Sequence, residues 1–349
     1  MDDQLRPHLH AAQAGPLTPG VAPLVERRSE RPPRLESTRD ILGPALFATA
    51  IITVGRWRCP VGHPVFADSG PARGHLLVFP RSSVWIQHEG DRRFVADPAT
   101  VTFYNRGQHY RRFALSPDGD RGAWFAVAPA VLADVLSRRD PSAPDRGRRL
   151  FAMTHGPSDR ASYQAQRAVY EHVCREETPD PLFVEETMLA VLDRVIGFAS
   201  ARSRSGSRRQ PPRGRESKSL RVTRDLAEQA REVLAQRFAD RMSLSELAAA
   251  VDCSAFHLAR LFRRATGTTL HAHRTDLRLR MALEQLGEPQ SDLLELALSL
   301  GYASHSHFTE VFRAAFGTTP SDLRATLTRA RVRDLAQLLT AARSGPRRR

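Results

Sequence analysis

Between residues 59 and 109 five thiol or imidazole side chains could bind a metal: Cys59, His63, His75, His88 and His109. Thiolate and imidazole suit zinc and related ions, and Cys59 stands four residues before His63. The pattern does not complete a catalytic site. The His-x-His pair with a Glu that a barrel metal centre needs is missing from this stretch, where His109 stands alone after Gly107. No Ser/His/Asp order, P-loop or Rossmann glycine fingerprint appears either. The expectation is a protein with no metal, no cofactor and no enzymatic activity. A metal site would rest on Cys59, His63 and His109.

The other chemistry on offer is charge. Of 52 basic residues only Lys218 is Lys, and against 38 acidic residues they leave a net charge of +14. The excess is localised. Residues 1–200 hold 25 basic and 23 acidic side chains, residues 201–219 hold seven and one, and residues 220–349 hold 20 and 14. A surplus confined to the last 150 residues points to a polyanionic partner, nucleic acid above all. No amphipathic anchor supports a membrane surface, and no apolar run approaches the roughly 20 residues of a membrane span.

Within that basic part a 25-residue pattern occurs twice. Residues 246–270 read ELAAAVDCSAFHLARLFRRATGTTL and residues 295–320 read ELALSLGYASHSHFTEVFRAAFGTTP. One extra residue in the second copy aligns Glu246 with Glu295, Ser254 with Ser304, His257 with His307, Phe262 with Phe312, Arg263 with Arg313 and Gly267 with Gly317. Each copy predicts a short helix opened by a cap, Ser243 with Glu246 or Asp292 with Glu295. A tight turn follows, and Ser254 or Ser304 caps a second helix. Gly267 or Gly317 then ends it in the left-handed conformation. Helix, turn and capped helix is the plan of a helix-turn-helix unit, whose second helix enters the major groove. Residues 269–286 predict one connecting helix of roughly 27 Å at about 1.5 Å per residue. That length suits two recognition helices about one DNA turn apart.

With its ELA starts, S-x-x-H-[LF]-x-x-x-F-R cores, G-T-T ends and GYAS-x-S-x-F…FGTTPSDLR run, the stretch from about 222 to 327 resembles the AraC/XylS-type DNA-binding domain. That family's domain is seven helices containing two helix-turn-helix units. The resemblance implies that Phe256, Ala259 and Arg260 on the first recognition helix, and His305, Ser306 and Glu310 on the second, read bases. Arg260 would grip guanine bidentately, Phe256 or Ala259 would meet a thymine methyl, and Glu310 would accept from a cytosine amino group or tune a neighbouring Arg. Glu310 cannot hold phosphate, so the first helix is expected to make the sequence choice. Ser254, Arg263, Arg264, Arg274, Ser304, Thr309 and Arg313 are the expected backbone contacts. His257 and His307 are read as packing or phosphate-contact residues and Cys253 as a small turn residue.

The elements that must carry these residues follow from composition and period. The 349 residues, 41% hydrophobic and 26% charged, make roughly two domains of ordinary globular material. Three scattered cysteines and an N-terminus without a signal peptide's apolar core fit a cytoplasmic protein. Residues 1–37, rich in Pro, Arg, Ala and Gly, read as a disordered arm. From residue 38, short Val-, Phe-, Trp- and Thr-rich runs such as GHLLVFP, SVWIQHEG, TVTFYNRG and GAWFAVAP, separated by turn signals, predict an antiparallel β-sandwich or barrel. The stretch GDRRFVADPATVTFYNRGQHYRR resembles the later part of a cupin barrel, and this domain resembles the regulatory domain of such regulators. Helices are expected over 129–139, 158–177 and 181–200, the last with an apolar stripe of Val184, Met188, Val191, Leu192 and Val195. The fold class is thus α+β and multidomain. A cupin-like domain (38–200), a basic linker (201–219), an all-α double helix-turn-helix domain (220–327, with units 243–266 and 292–316) and a C-terminal helix with a basic tail (328–349) follow one another.

The function these features imply is sequence-specific regulation of transcription on double-stranded DNA, as an activator working with RNA polymerase. The helices of 158–200 would pair two chains in a homodimer. A small-molecule effector would bind in the barrel, with Trp57, Trp85, Phe103 and Tyr104 as pocket lining. The rivals are a cupin-like metal-dependent enzyme with a helical appendage and a non-specific basic DNA-packaging protein.

Overall fold

Side-chain alternation along the strands sorts the N-terminal half into two sheets. The computed structural model describes residues 45–117, 119–207, 218–286 and 292–325. The expected N-terminal arm, the centre of the linker and the C-terminal helix and tail lie outside the described residues. The strands are β1 (Ala45–Ala48), β2 (Ile52–Cys59), β3 (His75–Pro80), β4 (Val84–His88), β5 (Phe94–Ala96), β6 (Thr100–Tyr104), β7 (Tyr110–Ala114), β8 (Asp120–Val127) and β9 (His155–Pro157). One sheet runs β1-β2-β8-β3-β6-β9 and the other β5-β4-β7, with every pair antiparallel. β9 is an element the sequence pattern does not announce. It is three residues long, and Gly156 at its centre leaves no room for a Cβ, which would lie 2.8 Å from that of Ala199.

Helices α1 (Pro129–Ser137), α2 (Arg160–Arg175) and α3 (Pro181–Ser207) cover one face of the larger sheet. The stripe on α3 is fully buried there, against Ile52, Leu77, Phe103 and Phe125 among others. The helix pair therefore buries this apolar stripe within its own chain. α3 also continues through Ser207, into the segment expected to be linker, and the next helix, α4, begins at Lys218. Composition misleads here because Arg is a good helix former and an anchored helix extends cheaply, residue by residue.

The space between the sheets is filled by Trp57, Cys59, Val78, Val84, Ile86, Phe94 and Tyr104. It also holds a buried ion pair, Arg112 Nε with Asp120 Oδ2 at 2.7 Å. Arg112 further donates to Ser69 Oγ (2.8 Å) and to the Tyr110 hydroxyl (3.0 Å). The four expected pocket residues do not come together. Trp57 and Tyr104 face this interior, but Phe103, next to Tyr104 on one strand, points into the helix-covered core. Trp85 points away from the interior and donates through Nε1 to Glu232 on α4 at 3.1 Å.

The C-terminal half is helical: α4 (Lys218–Gln236), α5 (Leu244–Ala250), α6 (Ala255–Thr266), α7 (Leu270–Leu286), α8 (Leu293–Ser299), α9 (His305–Phe316) and α10 (Pro320–Ala325). α4, α5, α6 and the start of α7 share one core of Ala230, Leu234, Leu247, Leu258, Phe262 and Leu277. The end of α7 and helices α8 and α9 share another, of Leu279, Leu283, Leu286, Leu296, Phe308 and Phe312.

His88 is fully buried between the sheets among Phe94, Tyr104 and Tyr110. Burial pushes its pKa down to about 4, and burial also lowers that of His75. The unfolded chain takes up these protons near pH 6.5. Their contribution to stability is thus complete above that pH and is lost as pH falls toward 4. Urea unfolding between pH 7 and 5 should show declining stability, and His88→Leu should flatten most of the decline. An unchanged slope in the variant would show that the imidazole is not held neutral.

Candidate nucleic-acid interface

The two repeats fold alike down to their hydrogen bonds. In the first, Ser243 Oγ accepts from Glu246 N and the Glu246 carboxylate accepts from Ser243 N at 2.7 Å, a complete capping box. In the second, Asp292 Oδ1 accepts from Leu294 N at 2.9 Å. Both first helices end with an N–H reaching back five residues, Cys253 N to Ala248 O and Tyr302 N to Ala297 O, each 3.0 Å. That bond needs a left-handed residue just before the donor. The residues there are Asp252 (φ 49°) and Gly301 (φ 80°). Asp is among the few side chains that tolerate this region. At Gly301 even that is barred, because a Cβ would lie 1.9 Å from the carbonyl oxygen of Ala239.

The recognition helices start alike as well. Ser254 Oγ accepts from His257 N at 3.3 Å, and Ser304 Oγ accepts from His307 N at 3.2 Å. Both end at a left-handed glycine, Gly267 or Gly317. Each buries Leu258, Leu261 and Phe262, or Phe308 and Phe312, and turns its other face outward. On α6 that face holds Phe256, 76% exposed, with Arg260, Arg263 and Arg264 exposed and Ala259 half-buried. Phe256, Ala259, Arg260 and Arg263 follow the i, i+3, i+4, i+7 period of one helix face. On α9, His305, Ser306, Thr309, Glu310, Arg313 and Ala314 line an open groove of about 500 Å³. Ser306, Glu310 and Arg313 are exposed; His305 and Thr309 are half-buried. The Thr309 hydroxyl is shielded from solvent and has no protein partner.

Two expected phosphate contacts have work inside the protein. Arg274 Nη1 donates to the carbonyl of Met242 at 3.2 Å, alongside Arg278, which donates to the carbonyls of Phe238 (2.6 Å) and Ala239 (3.1 Å). The pair fastens the loop between α4 and α5. Arg264 Nη2 donates to Thr223 Oγ1 on α4 at 2.9 Å while remaining exposed. His307 meets the Tyr302 ring edge-on at 5.5 Å, and burial pushes the Tyr302 hydroxyl up to about 12. Among the described residues no group of three His, Cys, Asp or Glu could hold a metal ion, Cys59, His63 and His109 included. No described helix is long and apolar enough to cross a membrane.

Sequence reasoning missed a second set of residues behind these helices. Asp97, in the turn between β5 and β6, is fully buried, with Arg231 Nη2 of α4 at 2.8 Å and His273 Nε2 of α7 at 3.2 Å. Burial alone would raise the Asp97 pKa, but Arg231 and His273 hold it well below the usual carboxylate range. Arg280 and Glu284 of α7 are also enclosed by N-terminal residues. Nothing in one sequence separates such an Arg or Glu from the solvated charges around it.

Two capped helix pairs with outward second helices, joined by a 17-residue helix, define a double helix-turn-helix protein. Residues 247–326 match the family described as a helix-turn-helix domain. The uncharacterized HTH-type transcriptional regulator YidL of Escherichia coli K12 is 37% identical over 81 residues, 23% of this chain and 27% of that protein. The regulatory protein SoxS of Salmonella typhimurium LT2 is 38% identical over 71 residues, 20% of this chain and 66% of that protein. The chain thus spans about a quarter of the first relative and just under two thirds of the second. The crystal structure of a transcriptional regulator from Chromobacterium violaceum, with an AraC-type DNA-binding domain, covers 32% of this chain and 98% of its own. It is 24% identical, with a TM-score of 0.29. In residues 247–326 the chain thus matches a helix-turn-helix domain, and there it is similar to helix-turn-helix transcriptional regulators.

The turn geometry yields a graded expectation. Gly267→Ala meets open space and strains only the backbone, a cost of about 1 to 2 kcal/mol. Gly301→Ala adds a backbone collision and should cost clearly more in urea unfolding of the full chain. Equal losses would contradict the close approach of Ala239.

Proposed function

We propose that the chain is a cytoplasmic, sequence-specific regulator of transcription that binds double-stranded DNA through residues 220–327. The observation that carries this reading is the repeated capped helix with an outward basic and aromatic face, Phe256, Arg260 and Arg263 on α6. In this reading Arg260 pairs with guanine, Phe256 or Ala259 meets a thymine methyl, and Glu310 accepts from a cytosine amino group. His305 and Ser306 read the same half-site as Glu310. Ser254, Arg263, Arg264, Ser304 and Arg313 hold the phosphate backbone, whereas the Thr309 hydroxyl, expected among these contacts, is shielded from solvent. The units are unequal, since α6 exposes three guanidinium groups while α9 sets Glu310 beside Arg313. Sequence choice and salt-sensitive affinity therefore lie mainly with α6.

In this proposal residues 38–200 form the regulatory domain, the protein acts as a homodimer, and it activates by engaging RNA polymerase. A small-molecule effector would act on the N-terminal sheets. Its site is not the quartet read from the sequence, because Trp85 and Phe103 face away from the sandwich interior.

Selection of bound sites from random duplexes by the full-length protein, at fixed salt, tests the function. A consensus with two elements about one helical turn apart is expected. Arg260→Ala should cost about 1 to 3 kcal/mol on that site and relax one base position, whereas Arg263→Ala should weaken all sequences alike and reduce the salt slope by about one. Recovery of no consensus, with binding that vanishes as salt rises, would favour non-specific DNA packaging instead.

A further inference from the structure

α7 contributes Leu270 and Leu277 to the core of the first helix-turn-helix unit and Leu279, Ala282, Leu283 and Leu286 to that of the second. The two cores are separate, with Phe238 packing against both. The N-terminal domain contacts both units through buried polar groups. At the first, Arg231 donates to Asp97 and to Thr100 Oγ1 (2.5 Å), Glu228 accepts from the backbone N–H of Val95 (2.8 Å), and Glu232 accepts from Trp85. At the second, Arg280 is 2% exposed, donates to the carbonyls of Pro98 and Ser158 at 2.5 Å each, and lies 4.9 Å over the Tyr163 ring. One turn on, the Glu284 carboxylate accepts from the Tyr163 hydroxyl (2.6 Å), from Arg167 Nη1 (2.8 Å) and from Arg81 Nε. Tyr163, an α2 residue, is itself part of the second unit's core. His273, Asp276, Arg280 and Glu284 follow one face of α7, and Asp276 pairs with Arg160 at 2.6 Å.

We propose that the N-terminal domain is a brace that fixes the orientation of α6 relative to α9, with Arg231, Arg280 and Glu284 as positioning residues for DNA reading. The inference rests on the reading of both helices as DNA contacts. A charge buried against the N-terminal domain cannot separate from it without losing its hydrogen-bond partners, so the two clusters resist slippage of either unit. The consequence is a narrow tolerance for the distance between the two DNA elements. Each added base pair moves one element about 3.4 Å along the duplex and turns it around the axis, and a braced pair of helices cannot follow.

The test uses the full chain, the selected duplex, and duplexes with one base pair inserted or removed between its two elements. Wild-type protein is expected to bind the altered duplexes at least about tenfold more weakly. Glu284→Gln and Tyr163→Phe loosen the same cluster from opposite sides. Each should bind the selected duplex almost as well as wild type, reduce the spacing penalty to about threefold or less, and show faster amide exchange over residues 279–286. If Glu284→Gln fails to fold, as judged by circular dichroism, Tyr163→Phe carries the test, since it removes one hydroxyl only. Variants that exchange faster yet keep the full penalty overturn the brace, and so do variants whose exchange is unchanged. A wild-type protein with no preferred duplex fails differently: it removes the DNA reading, and the brace with it.

Discussion

A carboxylate cut off from water is tolerable only when its charge and lone pairs are met by the protein, and Asp97 is in that position. Oδ1 accepts from Ala99 N and Thr100 Oγ1 at 2.9 Å each, and Oδ2 faces Arg231 and His273. Those partners come from the turn itself, from the helix behind the first recognition helix and from the helix joining the two units. Removing the carboxylate would leave Arg231 buried with Glu228 as its remaining acidic partner. Much of the chain's architecture follows from that one group. It sets where α4 lies against the smaller sheet, and it ties the start of α7 to the turn whose next residue, Pro98, receives Arg280.

The same logic explains why the N-terminal interior is less receptive than its aromatic residues suggest. Arg112 and Asp120 occupy the middle of the sandwich, and each of the nearby rings is already packed against another. The charge there is satisfied internally, whereas on α6 the Arg260 and Arg263 guanidinium groups face solvent. Inward charges hold shape and outward charges await a partner. That division separates the structural arginines, 112, 231 and 280, from those proposed to meet DNA.

Much of this was legible in the sequence where a local rule governs. Caps, left-handed glycines and the i, i+3, i+4 period are set within a few residues, so both helix-turn-helix units and the stripe on α3 could be read directly. Phe103 and Tyr104 could not both line one pocket, because neighbours on a strand face opposite ways, and strand parity alone would have shown it. Arg274 was assigned to phosphate because helix period shows only which residues share a face, while its partner, the Met242 carbonyl, lies 32 residues away. Arg280, Glu284 and Asp97 were invisible for the same reason: their partners are separated by more than 100 residues, and no pattern in one chain encodes such a meeting. β9 is too short for any period to show.

Whether both recognition helices enter the major groove is most directly tested by methylation interference on the selected duplex, which places a methyl group on guanine N7 in that groove. Two clusters of interfering guanines about 10 base pairs apart on one face are predicted, the stronger beneath the α6 half-site. A single cluster, or interference spread evenly along the duplex, would contradict joint reading by two units.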